Sequence, residues 1–244
     1  MKAEFDTVAS WTADAALALG PEHFLPAGCR GSGSPGALRW LLDRLDLGPG
    51  DLLLDAGAGV GGPAAFAAAE TGVRPVLSEP EVGACQASRR LFDLPVVQAA
   101  SDLPFADASV DAVWSLGVLC TVPDQPRFLA ELRRVLRPGG RLGLLVFVAS
   151  GQLPEQPAGN NFPTRARLDA LLDEAGLAVR DSASADAFPA VPAGWQEQAD
   201  AVEAELERRH GDDEAWQVAA AQSAVIGRLL AGGDLAGTLV VAER

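Results

Sequence analysis

The chain has 244 residues, with 33 Asp and Glu against 19 Lys and Arg for a formal net charge of −14, and 48% of its residues are hydrophobic. That composition suits one sizeable core and fits neither a disordered chain nor a membrane protein. Phosphate backbones and anionic lipid both need clustered positive charge, and no basic run is longer than Arg133-Arg134 or Arg208-Arg209. Nucleic acid and membrane surfaces are therefore not expected as partners.

The first twenty residues, MKAEFDTVASWTADAALALG, carry Glu4, Asp6 and Asp14 where a secretory signal needs an unbroken apolar stretch, so the expectation is a cytoplasmic protein. Phe5, Val8, Ala9 and Trp11 are spaced for a first helix. The next stretch, LGPEHFLPAGCRGSGSPG, is too rich in Gly and Pro to stay helical and predicts a loop, either mobile or laid against a ligand. Beyond it, Leu38, Leu41, Leu42 and Leu45 share one face of a helix that Gly48-Pro49-Gly50 ends. Leu52-Leu53-Leu54 then reads as a strand buried on both faces.

From there helices and strands alternate: a helix from 63, a strand at 75–77, a helix at 81–92, strands at 94–97 and 110–114, a helix at 125–136 and a strand at 142–148. The segment PTRARLDALLDEAGLAVRDSASA adds a helix ended by Gly176 and then a strand. An insertion over 189–233 is helical by the spacing of Val202 and Leu206 and of Trp216, Val218, Ala219, Val225 and Leu229, and a last strand at 238–241 closes the chain. The pattern predicts an α/β fold with a doubly wound, mostly parallel, seven-stranded sheet. No repeat or long linker divides it, so one domain over 1–244 is expected.

Cys29, Cys85 and Cys120 are odd in number, far apart and without metal-ligand spacing, which points to buried or idle thiols and to no metal site. The most informative segment is LLDAGAGVGGP, from Leu53 to Pro63: a strand runs into a glycine turn that opens a helix. Glycines there let a ligand sit against bare backbone, and the helix start offers free N–H groups. Gly57, Gly59 and Gly62 also satisfy the G-x-G-x-x-G spacing of dinucleotide binders, so glycines alone do not choose the cofactor. Glu79 closes the next strand, where a carboxylate can accept from both hydroxyls of a ribose.

Three further motifs narrow the choice: DLPFADASVDAVW, LGVLCTVPD and RVLRPGGRL come in this order after the turn. Together with the turn they resemble the class I S-adenosylmethionine-dependent methyltransferases, in the small-molecule branch similar to the quinone-biosynthesis enzymes, over residues 35–148. The resemblance implies a Rossmann-like fold with a helical lid formed by 1–34 and 189–233, and S-adenosylmethionine as cofactor. It places Asp55, Gly57, Ala58, Gly59 and Gly61 around the methionine part, and Glu79 on the ribose with Pro80 beside it. Ser101, Asp102 and Leu103 would flank adenine, and Ser115 and Leu116 would lead into Gly117 beneath the sulfonium. Two positions depart from the pattern: Ala99 stands where the family often has an Asp for the adenine amino group, and Cys120-Thr121 where many relatives carry His.

The implied activity is methyl transfer to a small-molecule acceptor at O, N or C, driven mainly by orientation and exclusion of water. A base is needed only when the acceptor must lose a proton, and His23, in the Gly/Pro-rich segment, is the candidate. His210 reads as a solvated helix end. Arg30 could pair with the methionine carboxylate or an acidic acceptor, and Trp11, Trp195 and Trp216 could wall an acceptor site. Two other readings stay open: a protein of this fold that senses S-adenosylmethionine or catalyses a different step with it, and a nicotinamide-dependent oxidoreductase, which the glycines alone would support.

Overall fold

The structure, a computed structural model, describes residues 2–188 and 191–244, with side chains from residue 4 onward. Pro189, where the insertion is expected to begin, lies outside the described residues. In chain order the helices are α1 (Lys2–Leu19), α2 (Phe24–Gly28), α3 (Pro35–Leu45), α4 (Gly62–Thr71), α5 (Val82–Phe92), α6 (Gln125–Val135), α7 (Arg165–Glu174), α8 (Ala193–His210) and α9 (Glu214–Ala231). The strands are β1 (Leu52–Ala56), β2 (Arg74–Glu79), β3 (Val96–Gln98), β4 (Val110–Leu116), β5 (Leu136–Ala149), β6 (Ala178–Ser184) and β7 (Leu235–Glu243).

Among the described residues, the seven strands form one sheet in the order β3-β2-β1-β4-β5-β7-β6. All neighbours run parallel except β7, which is antiparallel to both β5 and β6. The chain winds outward from β1 to β3 and then returns to place β4 on the other side of β1. The order of strands therefore reverses at β1, and the crevice beyond the C-terminal ends of β1 and β4 is where folds of this kind hold ligands.

Local chemistry sets the ends of the elements. Ser34 caps α3, its hydroxyl accepting from the Ala37 N–H at 3.2 Å, with Pro35 in the first turn. Asp124 caps α6 in the same way through Arg127. β5 begins earlier than its apolar run at 142–148 suggests, because Arg137-Pro138-Gly139-Gly140 forms an irregularity within the strand: Val110 pairs with Leu136, but Ala112 pairs with Arg141.

Burial is two-sided, as the Leu52-Leu53-Leu54 run predicts for a parallel sheet. Leu54, Val113, Leu142 and Leu144 pack against Leu129 and Leu132 of α6 and Leu168 of α7. Leu53, Trp114 and Leu145 pack on the other face against Leu38 and Leu41 of α3 and Phe66 of α4. Each such side chain contributes roughly 1.5–3 kcal/mol on burial. A third cluster lies outside the sheet, where Ala13 and Ala16 of α1 meet Leu91 of α5, Val202 and Leu206 of α8 and Trp216 of α9.

The segment after α1 corrects the expectation of a loop. Residues 21–23 form a single 3₁₀ turn and α2 comes directly after it, with Pro21 and Pro26 both in first-turn positions where a missing N–H costs nothing. Residues 29–32 continue as turns, the Ser32 N–H donating to the Cys29 carbonyl at 3.0 Å.

Candidate active site

Between β1 and α4 the turn places Gly57, Gly59 and Gly61 at φ +80°, +55° and +86°, a region that residues with a β-carbon rarely adopt. Gly57 and Ala58 donate their N–H groups to the Ser78 carbonyl at 2.8 and 3.2 Å, fastening the turn to β2. A Cβ on Gly57 would stand 2.5 Å from Val118, and one on Gly59 would stand 3.8 Å from the ring of Phe5. Val118 and Phe5 thus flank the bare backbone. Spacing assigns Phe5 to the apolar face of the first helix, yet its side chain is half exposed above the turn.

Glu79, only 3% exposed, ends β2 beside this turn. One carboxylate oxygen accepts from the Gly59 N–H at 2.8 Å and the other from the Glu81 N–H at 3.1 Å. Burial pushes its pKa up, the two N–H groups oppose that rise, and the nearby Glu81 and Asp6 carboxylates reinforce it. A carboxylate offers about four acceptor positions, so two remain, enough for the two hydroxyls of a ribose. Asp6 of α1 accepts from the Gly83 N–H in the first turn of α5, which holds α1 across this corner.

Asp55 lies opposite Trp114 in the β1–β4 pairing and is 2% exposed. Its Oδ2 and the Trp114 Nε1 are both buried without completing a hydrogen bond. Burial raises the Asp55 pKa to about 7, with the Trp114 indole drawing it down and the Glu79 charge adding to the rise. A buried acceptor left open at a strand end suits a cationic amino-acid tail. With the three glycines and Glu79, it gives the crevice the parts an adenosyl sulfonium needs.

The remaining expected residues spread around this core of the site. Pro80 accepts from the Gln98 amide at 3.1 Å. Ser115 donates its hydroxyl to the Ala56 carbonyl at 2.8 Å, tying β4 to the end of β1, and Leu116 is buried beside Trp114. Ser101 is half-buried, Asp102 is exposed and paired with Arg127, and Leu103 is buried. His23 has a buried, unpartnered Nδ1, with Glu22 at 3.8 Å. Arg30 reaches across to Glu203 of α8 at 2.7 Å.

The tryptophans are not gathered around one pocket. Trp195 meets Phe66 edge-on, with ring centroids 6.4 Å apart, while Trp216 belongs to the cluster between α1, α8 and α9. Trp11 stacks on His210 at 3.7 Å, and His210 Nδ1 lies 2.8 Å from Asp213. His210 is therefore not a solvated helix end, because α1 crosses the end of α8 and covers one face of the imidazole.

Arg134 has a role that its place in RVLRPGGRL did not reveal. Its guanidinium donates to the carbonyls of Leu103 and Phe105, at 2.9 and 2.8 Å, and pairs with Glu131 and Asp107. It pins the LPF turn. Arg134→Ala should cost about 1–3 kcal/mol of stability, since it strands two carbonyls and two carboxylates. Thermal unfolding together with cleavage at 101–107 in limited proteolysis measures this, and native-like resistance there would exclude the pinning role.

Residues 54–144 match the family model described as a methyltransferase domain. Over 126 residues the chain is 35% identical to Methyltransferase GfsG of Streptomyces halstedii, covering 47% of this chain and 44% of that protein. Over 104 residues it is 42% identical to the demethylmenaquinone methyltransferase of Mycobacterium sp. (strain KMS), covering 42% and 44%. The chain thus spans under half the length of these curated relatives. Its fold is similar to the crystal structure of the [4+2]-cyclase SpnF, with a TM-score of 0.67 and 22% identity over 85% of this chain and 79% of that one. Over residues 54–144 the chain is thus similar to the methyltransferase domain family, on a sheet whose strand order reverses at β1.

Proposed function

We propose that the chain transfers the methyl group of S-adenosylmethionine to a small-molecule acceptor at O, N or C. The observation that carries this reading is the pairing of a three-glycine turn with Glu79, which keeps two acceptor positions open beside it. The cofactor supplies a methyl carbon already activated by a sulfonium leaving group. The chain holds the methionine tail at Asp55 and the glycine turn, holds the ribose at Glu79, and keeps water out. Orientation and dehydration of this kind can supply most of the acceleration for an in-line displacement.

Pro80, Ser101, Asp102 and Leu103 would border adenine, and Ser115 and Leu116 would support the turn beneath the reacting carbon. For an acceptor with a proton to lose, His23 is the side chain offered as base. One domain with α1, α2, α8 and α9 as its cover, working in the cytoplasm on a dissolved acceptor, fits the acidic surface. No helix among the described residues is long and apolar enough to cross a membrane.

Calorimetry with S-adenosylhomocysteine should show one site per chain, and incubation with labelled donor should move label to an acceptor from a panel of phenols, enols and amines. Absence of heat at tens of micromolar protein would refute the reading. Binding without transfer to any acceptor would favour a protein of this fold that uses the cofactor otherwise.

A further inference from the structure

Residues 28–33 leave α2 and run over the two places where the proposed reaction has to happen. The backbone of Gly28 and Cys29 rests directly on Gly62, at the first turn of α4, with no room for even a methyl group between them. The Gly31 carbonyl rests on Gly117, where a Cβ would stand 3.0 Å from its oxygen. Gly62 and Gly117 come after β1 and β4, so this strap bridges the switch point of the sheet. Between the two contacts Cys29 is buried against Leu38, Leu53 and Trp114, and the charge of Asp55 helps push its thiol pKa up.

Main-chain contacts through glycine are close but hold no side chain in place. The strap is tied to α8 by Arg30, whose guanidinium meets Glu203 at 2.7 Å. Both partners are about two-fifths exposed, 43% and 42%, so the pair is screened by solvent and easily opened. α8 comes from the insertion after β6, which makes the ion pair a link between the two segments that flank the methyltransferase motifs without belonging to them.

We propose that residues 28–33 are the gate through which the methyl acceptor reaches Gly117, and that Arg30–Glu203 is its latch to α8. The assignment rests on the methyltransferase reading for what passes the gate, but not for the motion itself. With the strap down, the Gly31 carbonyl occupies the acceptor side of the turn after β4. With the strap lifted, that side is open while Glu79 and the glycine turn, held by their own bonds to β2, stay in place.

Cys29 reports the motion, because it is buried only while the strap is down. In a Cys85→Ser, Cys120→Ser background, the labelling rate of Cys29 with 5,5′-dithiobis(2-nitrobenzoate) measures opening. Arg30→Ala and Glu203→Ala should each speed it up to about fivefold, the change that ~1 kcal/mol of exposed ion pair allows. The Arg30→Glu, Glu203→Arg exchange should return the rate to within about twofold of the background protein. Gly62→Ala, which forces the strap off α4, should accelerate labelling by more than about tenfold.

Saturation with S-adenosylhomocysteine should leave these differences in place, since the acceptor must still enter after the cofactor. Unchanged labelling in both single variants, or an exchange variant as fast as the singles, would overturn the latch. Complete protection of Cys29 by S-adenosylhomocysteine would overturn the assignment to the acceptor. Calorimetry on the same background protein separates the two levels: normal binding with unchanged labelling sinks the gate alone, whereas no binding sinks the methyltransferase reading.

Discussion

Replacing Glu79 with Ala should weaken the binding of S-adenosylhomocysteine by about a hundredfold or more. Hydrogen bonds to a charged group contribute roughly 1.5–3 kcal/mol each, and two ribose hydroxyls would lose their acceptor at once, with tenfold in affinity for every 1.4 kcal/mol. The same change strands the Gly59 and Glu81 N–H groups, which now donate to the carboxylate at 2.8 and 3.1 Å. The glycine turn would then lose part of its support from β2, and the native state roughly 1–3 kcal/mol. Relief from burying a charge beside Asp6 and Glu81 offsets some of that cost.

Glu79→Gln separates binding from support, because an amide keeps one acceptor oxygen for the Gly59 N–H. It should keep most of the stability while still losing about tenfold in affinity. Titration calorimetry, with circular dichroism to establish that each variant is folded, measures both. Native affinity in a folded Glu79→Ala protein would mean that no ribose is held there.

The glycine turn and Glu79 are legible in the sequence because both are local events. A strand of three leucines, a turn that needs left-handed backbone and an acidic residue at the end of the next strand are written within about 30 residues of one another, the span of one βαβ unit. The seven strands come from the same alternation. What the sequence hides depends on partners far away along the chain. Nothing near Arg30 announces Glu203, 173 residues on, and nothing near Trp11 announces the imidazole of His210 stacked on it.

Composition misleads in the segment 21–28. Gly and Pro there read as helix breakers, but Pro21 and Pro26 fall in first turns, where they are tolerated. Gly62 carries the most instructive ambiguity. In the G-x-G-x-x-G spacing it passes as the glycine that lets helix and strand approach, whereas here the backbone that approaches it belongs to the strap. The motif marks a close contact without saying with what.

Asp55 should make the stability of the protein fall as pH rises from about 4 to 7. In the unfolded chain its proton leaves near pH 3.8, but in the fold only near 7, chiefly because the carboxyl is buried. Within that window the native state holds a proton that the unfolded chain has lost, so each step up in pH favours unfolding, and the loss is complete above about 7. Its upper bound is roughly 4 kcal/mol, from the separation of the two values. Carboxylates held low by arginines, such as Glu70 and Glu131, act in the opposite direction, so the comparison must be with a variant that changes Asp55 alone.

Asp55→Asn is that variant, having the same shape and no charge to bury. It should match the native protein near pH 4 and exceed it in thermal stability at pH 8; equal stability at both values would mean that Asp55 carries no such burden. A group that destabilises the empty fold at neutral pH needs a functional return, and the crevice supplies one. The ammonium of a bound S-adenosylhomocysteine favours ionised Asp55, so binding below pH 7 releases a proton and affinity should climb by up to about tenfold per pH unit as pH approaches 7. In Asp55→Asn that slope should disappear and affinity at pH 8 should fall about tenfold or more. The charge that strains the empty protein would then be the one that recognises its ligand, and burial, Trp114 and Glu79 set how costly that charge is before the ligand arrives.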